Sequence, residues 1–352
     1  MPRVDLGLFS LAMLRFKFNY VLLSCLMLCG GMSHGEEVLH IYSHRHYKTD
    51  EKVNALFTEQ TGIQIKVVQA EADQLIARLR TEGAASPADV LITVDAGRMQ
   101  RAAAEGLLQP VVTDFLKNHS PEAMRDAEGK WWPFTLRARG IVVAKDRVKV
   151  GEISTYQDLA KPEWRGRVLS RSSTSSYNQA LLAYMIATHG EEKASEWAKA
   201  IVENFARPPQ GGDRDQIKAV AAGLADACLT NSYYLGLLLN SPDPAERKAA
   251  ESVRMIFPNQ GAGGTHCNVS AAGITAHSQR VPQATRYLEF LLSEQVQRLY
   301  ATETSEHPVM MNLDYSPILQ SWGKIEMDMV GFPQLGKHME AASRLFDQAG
   351  WK

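Results

Sequence analysis

Val38-Leu-His-Ile-Tyr42, Ile63-Gln-Ile-Lys-Val-Val68 and Ala88-Asp-Val-Leu-Ile-Thr-Val94 read as three strands with a helix in each gap. Val53, Leu56 and Phe57 recur at helical spacing ahead of a stop at Thr61-Gly62, and Leu75, Ile76 and Leu79 do the same ahead of Gly83. The third run is apolar enough to be buried on both faces, as strands covered by helices are. Alternation of strand and helix predicts an α/β fold on a parallel sheet. A third helix is expected around residues 96–105 and a further buried strand over 138–144. The second half repeats this architecture without repeating the sequence. Short strands are expected over 167–170 and 226–230, helices over 177–188, 191–205 and 216–223, then strands over 253–257 and 267–274 and two helices within 281–303.

At 352 residues the chain exceeds what one hydrophobic core usually serves and, at about 150 residues per domain, predicts two lobes. No long linker divides them, so crossing strands are expected to join them. One lobe is read as residues 36–135 with about 260–315, the other as 136–259 with about 316–352. Such a pair hinges around a ligand in the cleft between the lobes, beyond the carboxyl ends of the strands. The composition, 45% hydrophobic and 22% charged with 25 Gly, 15 Pro and 4 Cys, excludes collagen, coiled-coil, disordered and disulfide-stapled classes. Lys+Arg at 38 against Asp+Glu at 39 leaves no basic excess to track a phosphate backbone, so nucleic acid is not expected as a partner.

That balance sums two different objects. Arg15 and Lys17 precede the apolar run Tyr20-Val-Leu-Leu-Ser-Cys-Leu-Met-Leu28, and small residues follow up to Ser33-His34-Gly35. Residues 1–35 read as a cleaved secretory signal peptide, with an apolar core far short of the ~20 residues that span a membrane. Met13 alone would start a signal of ordinary proportions. The rival is a lipoprotein signal at Leu22-Leu-Ser-Cys25, although Asn19 interrupts the stretch ahead of that Cys. Removing Arg3, Arg15, Lys17 and Asp5 takes away +2, so the net charge of −1 becomes −3. The periplasm is the expected compartment. There Cys228 and Cys267 meet oxidising conditions in which a disulfide is an option.

The candidate site lies at the strand ends. The first strand runs into Ser43-His44-Arg45-His46-Tyr47, the strand 167–170 into Ser172-Ser-Thr-Ser-Ser176-Tyr177-Asn178, and the strand 226–230 into Asn231-Ser232-Tyr233-Tyr234. Any one of these tyrosines alone is an ordinary half-buried aromatic whose hydroxyl finds one partner. Four at three strand ends are a pattern. With Asn231 or Ser232 as N-cap, Tyr233 and Tyr234 fall in a first helical turn, from which both rings can reach a cleft.

Four phenols and an imidazole suit one chemistry. A phenol, with a pKa of about 10, ligates only when a strong Lewis acid displaces its proton. Fe(III) is hard and highly charged enough to do so at neutral pH, and tyrosinate is an attested ligand of haem iron. Four phenolates on Fe³⁺ leave a charge of −1, so an arginine is expected close behind them, with Arg45, Arg137 and Arg139 as candidates.

The strings Tyr42-Ser-His-Arg-His-Tyr47-Lys-Thr-Asp50, Pro87-Ala-Asp-Val-Leu-Ile-Thr-Val-Asp95, Leu169-Ser-Arg-Ser-Ser-Thr-Ser-Ser-Tyr-Asn-Gln179, Leu229-Thr-Asn-Ser-Tyr-Tyr234, Phe257-Pro-Asn-Gln260 and Gly264-Thr-His266 resemble the periplasmic ferric-iron-binding proteins of ABC uptake transporters. The likeness runs from about residue 38 to Ala349-Gly-Trp-Lys352 and is strongest to the branch that uses several tyrosines and one histidine. It implies a two-lobed, hinge-closing fold with His46, Tyr47, Tyr177, Tyr233 and Tyr234 as ligands of Fe(III), carried as cargo. It also implies a monomer that delivers iron to an inner-membrane permease driven by a cytoplasmic ATPase. Many relatives carry Arg three residues beyond the second tyrosine; here Leu237 stands there, so charge balance falls to Arg137 or Arg45.

Other functions fit less of the sequence. Ser172–Ser176 ahead of a helix could hold a small oxyanion, although a polar loop with capping serines explains it as well. An organic cation could stack on the rings. No nucleophile elbow, phosphate-binding glycine loop, Cys-x-x-Cys pair or His-Glu-x-x-His helix marks an enzyme. His266 and Cys267 are neighbours on a strand and point to opposite faces.

Overall fold

Strand β1 (Val38–Ser43) pairs in parallel with both β2 (Gln64–Gln69) and β3 (Val90–Thr93), as the opening alternation predicts. The computed structural model describes residues 37–310, 316–328, 330 and 332–352. The signal peptide read over 1–35, with Cys25, lies outside the described residues. Helices Lys48–Thr61 and Ala72–Glu82 fill the gaps between these strands, and Gly62 ends the first at a left-handed φ of 76°, its amide donating to the Thr58 carbonyl. Helix Ala96–Ala104 follows β3, with the Asp95 side chain accepting from the Arg98 amide at its start.

Beyond β3 the sheet changes character. The other strands are β4 (Leu108–Gln109), β5 (Trp132–Ala144), β6 (Val168–Leu169), β7 (Ala227–Asn231), β8 (Val253–Ile256), β9 (Cys267–Thr275) and β10 (His307–Pro308). Their order is β2-β1-β3-β9-β5-β7-β6, with β4 on β9 and with β8 and β10 on β5. The expected parallel sheet is therefore mixed. Strands joined by a crossover helix pair in parallel, whereas β9 returns antiparallel to both β3 and β5.

Strand β5 is the joint. It is buried along its whole length and begins six residues earlier than the 138–144 expected from sequence. Residues 132–138 pair with β9, whereas 139–143 pair with β7 and 141–144 with β8. One strand thus runs from one group of strands into another. A second crossing lies beside it, where the Arg139 amide donates to the His266 carbonyl at 2.8 Å. Gly140 sits at this point because a Cβ there would collide with Met255 Sδ and stand 3.0 Å from the Ile256 carbonyl. Gly140→Ala is expected to destabilise the protein by about 1–3 kcal/mol through overpacking. A urea unfolding midpoint equal to that of the parent would rule this out.

The two cysteines flank the same strand. Cys228 lies opposite Val142 and Cys267 opposite Ala138, on the two sides of β5. Two strand spacings across β5 and four residues along it put them roughly 16 Å apart, far beyond the ~7 Å limit between Cα atoms for a disulfide. Both are buried free thiols, so the disulfide option is not realised. Burial pushes both thiols above their usual range.

A helix that the sequence reading did not anticipate, Phe332–Ala349, closes the fold. It packs against helices Ala96–Ala104, Ser176–His189 and Glu191–Glu203. Trp351 behind it wedges against Trp197, Phe205 and Phe346 and donates its indole N–H to the Arg171 carbonyl at 2.9 Å. Among the described residues no helix is long and apolar enough to cross a membrane.

Candidate functional site

Three strand ends meet at one point. Tyr47 is the residue before helix Lys48–Thr61, and its amide donates to Asp50 Oδ2 at 3.0 Å. Tyr177 lies in the first turn of helix Ser176–His189, after β6, and Tyr233 and Tyr234 lie in the first turn of helix Ser232–Leu239, after β7. The Tyr233 hydroxyl stands 2.9 Å from that of Tyr47 and 3.3 Å from that of Tyr177. Tyr234 completes the group, its ring 4.1 Å from the Tyr233 ring and 6.4 Å from the Tyr177 ring. His46 is exposed and stacks on Tyr47 at 5.2 Å. All four tyrosines singled out from sequence therefore converge, with His46 at their edge.

Burial raises the phenols of Tyr47, Tyr233 and Tyr234 above their usual range, and the neighbouring Tyr177 pushes in the same direction. At neutral pH these groups keep their protons until a cation displaces them. Among the described residues no three His, Cys, Asp or Glu side chains stand together as a metal site. The oxygens that meet here are phenol oxygens, with one imidazole beside them.

Arginines surround the rings. Arg45, Arg137 and Arg139 are 2%, 1% and 2% exposed, so none of them sits on a solvated face. The Arg45 guanidinium lies 4.9 Å from the Tyr47 ring; those of Arg137, Arg139 and Arg171 lie 5.8, 5.9 and 5.2 Å from the Tyr177 ring. Each is anchored from behind. Arg45 Nε donates to Asp50 Oδ1 at 2.9 Å and its Nη1 to Ser270 Oγ at 2.6 Å. Arg137 Nη2 donates to the Val94 carbonyl. Arg139 Nη1 and Arg171 Nη1 donate to the two oxygens of Asp213 at 2.6 and 2.9 Å. Asn231 holds the N-cap position of the Tyr233 helix but does not cap it, because its Oδ1 accepts from Arg139 Nη1 at 3.2 Å.

Residues 85–321 match the family model for the bacterial extracellular solute-binding protein. The chain belongs to this family. This solute-binding protein is 44% identical over 317 residues to Iron uptake protein A1 of Synechocystis sp., covering 90% of this chain and 88% of that one. It is similar in structure to Trichodesmium IdiA (FutA) in complex with iron and citrate ligands, with a TM-score of 0.85 and 42% identity over 90% of this chain and 100% of that one. A ferric binding protein from Campylobacter jejuni matches at a TM-score of 0.85 and 37% identity, over 89% and 100% of the two chains. The solute-binding protein has their α/β fold, two-lobed with a ligand cleft.

Other features of the solute-binding protein fall into place around this site. The loop 172–176 leads into the Tyr177 helix, but Ser175 at the N-cap makes no side-chain cap, so the expected capping serine is absent. His266 stacks on Tyr184 at 4.8 Å, and burial lowers its pKa to about 3, leaving a neutral packed ring. Cys267 Sγ turns to the Thr265 carbonyl at 3.4 Å. Sequence reasoning gave no role to Asp50, Arg171, Asp213 and Glu306, the charged residues behind the rings: the first two lie inside quoted strings and the last two in none, and all four reach the site only through the fold.

Proposed function

We propose that this protein is an extracytoplasmic carrier that captures Fe(III) between its lobes through the phenolates of Tyr47, Tyr177, Tyr233 and Tyr234 and the imidazole of His46. It works as a monomer in the periplasm, after loss of residues 1–35, and hands the iron to an ABC permease in the inner membrane. The lobes are assigned as 36–135 with about 260–315 and 136–259 with about 316–352, meeting at the crossing of β5 beside His266. The observation that carries the reading is the meeting of three phenol oxygens, with Tyr233 at 2.9 Å from Tyr47 and 3.3 Å from Tyr177. A stacking site for an organic cation needs the ring faces and not the hydroxyls, and the relatives Iron uptake protein A1 and Major ferric iron-binding protein favour iron over a small oxyanion. Relatives that are iron uptake and ferric-binding proteins support a transport role in place of an enzymatic one.

Loading with ferric nitrilotriacetate is expected to turn the protein orange to red, from charge transfer between phenolate and iron. The sign of the pH effect follows from the phenols. Burial raises their pKa values, so Fe(III) must displace protons, and apparent affinity falls as the pH falls. Chelator competition between pH 8 and pH 5 in a weakly buffered solution checks both the loss of affinity and the acid released on loading. A protein that stays colourless and yields its iron to a modest chelator at pH 7 would sink the proposal.

A further inference from the structure

The turn at residues 304–306 supplies no tyrosine, yet it holds the most enclosed carboxylate beside the rings. Glu306 is fully buried. Its Oε2 accepts from Arg45 Nη2 at 2.9 Å, and its Oε1 accepts from Arg45 Nη1 at 3.2 Å and lies 3.6 Å from Arg137 Nε. Burial alone would raise its pKa, but Arg45 and Arg137 together hold it below the usual carboxylate range, so it stands there as an anion.

The fold goes to some length to put it there. Ser305 has a φ of 56°, a left-handed conformation that a non-glycine residue keeps only where its surroundings over-determine it. Ser305 is fully buried, and its Cβ and Oγ occupy the space that a side chain at Gly236 would need. Gly236 is two residues past Tyr234 on the same helix. The turn is therefore wedged between the helix that carries two of the phenols and the arginines that lie over the other two.

Charge gives this placement a purpose. Among the buried and half-buried side chains, Arg45, Arg137, Arg139 and Arg171 face Asp50, Asp213 and Glu306, four cations against three anions, a surplus of +1; Arg214, 6.0 Å from the Tyr234 ring, is exposed and screened by solvent. Four phenolates on Fe³⁺ carry −1 and on Fe²⁺ carry −2. The ferric assembly and its buried surroundings sum to zero, whereas the ferrous assembly leaves one anionic charge without a counterpart in a place where unpaired charge is costly.

We infer that Glu306 is a positioning residue for the iron: it fixes Arg45 and Arg137 against the phenol rings and sets the pocket's charge to match the ferric state. The inference rests on the proposed phenolate ligands. Without the Glu306 charge the surroundings become +2, and the more negative ferrous assembly gains on the ferric one.

The test is a spectroelectrochemical titration of the iron-loaded full-length mature protein. Glu306→Gln is expected to favour the ferrous form at least tenfold, an upward shift of the midpoint potential of about 59 mV or more for one electron. Glu306→Asp, which keeps the charge, is expected to return the potential toward the parent value. Arg137→Gln removes the opposite charge from the same contact and is expected to lower the potential, which keeps the test open if Glu306→Gln fails to fold. A parent protein without the phenolate band overturns the ligand set and this inference with it. A parent band together with an unmoved potential in the charge variants, or shifts of the same sign in Glu306→Gln and Arg137→Gln, overturns the role of Glu306 alone.

Discussion

Tyr233→Phe is expected to weaken Fe(III) binding by more than about a hundred-fold, since substitutions that only support a ligand already cost about 10–100-fold. Tyr233 is the centre of the group. Its hydroxyl is within hydrogen-bond distance of both Tyr47 and Tyr177, and its ring lies against Tyr234. Phenylalanine keeps the ring and its packing and removes only the oxygen. Loss of that one hydrogen-bonding group is expected to cost about 0.5–1.5 kcal/mol of folding stability. A large loss of affinity beside a small change in unfolding therefore points to ligation. The visible band should fade and shift in the same variant, because one phenolate has gone from the chromophore. Chelator competition, the absorption spectrum and urea unfolding on a single preparation decide it. Full retention of band and affinity would remove Tyr233 from the ligand set.

Asp213→Ala is expected to cost about 3–5 kcal/mol of folding stability, the range for removing one partner of a buried ion pair. Asp213 is 1% exposed and takes Arg139 Nη1 at 2.6 Å, Arg171 Nη1 at 2.9 Å and the Asn231 amide at 3.3 Å. Arg139 is left as a buried cation with its main counterion gone. Natural domains are stable by only about 5–15 kcal/mol, so the loss is a large share of the total. Asp213→Asn, which keeps an acceptor oxygen, is expected to lose less. A denaturation midpoint for Asp213→Ala within error of the parent would show that water or a rearrangement compensates the two arginines.

The parts of the fold that were legible were local. Strands β1 to β3 and their helices announce themselves through apolar spacing and through punctuation such as Gly62, whose left-handed turn no side chain favours. Tyr47, Tyr177, Tyr233 and Tyr234 were legible because each follows a strand end, a position that can be read without knowing the partner strands. The first half of β5 was hidden for the opposite reason. Arg137 and Arg139 interrupt its apolar pattern, and only the fold supplies Glu306 and Asp213 to make burying them tolerable. Glu306 itself has no local signature, and the antiparallel return of β9 depends on a pairing between residues far apart in sequence. Sites built from buried charge break the local rules on which sequence reading depends.

The unbroken course of β5 has a mechanical meaning as well. Arg137 belongs to the part of the strand paired with β9 and Arg139 to the part paired with β7, and both guanidiniums hover over the Tyr177 ring. A flexing of the strand at Ala138 changes the distance between these two like charges directly. Any opening that bends the strand between these two residues then also changes the field at the Tyr177 ring, so that geometry and charge at the pocket move together.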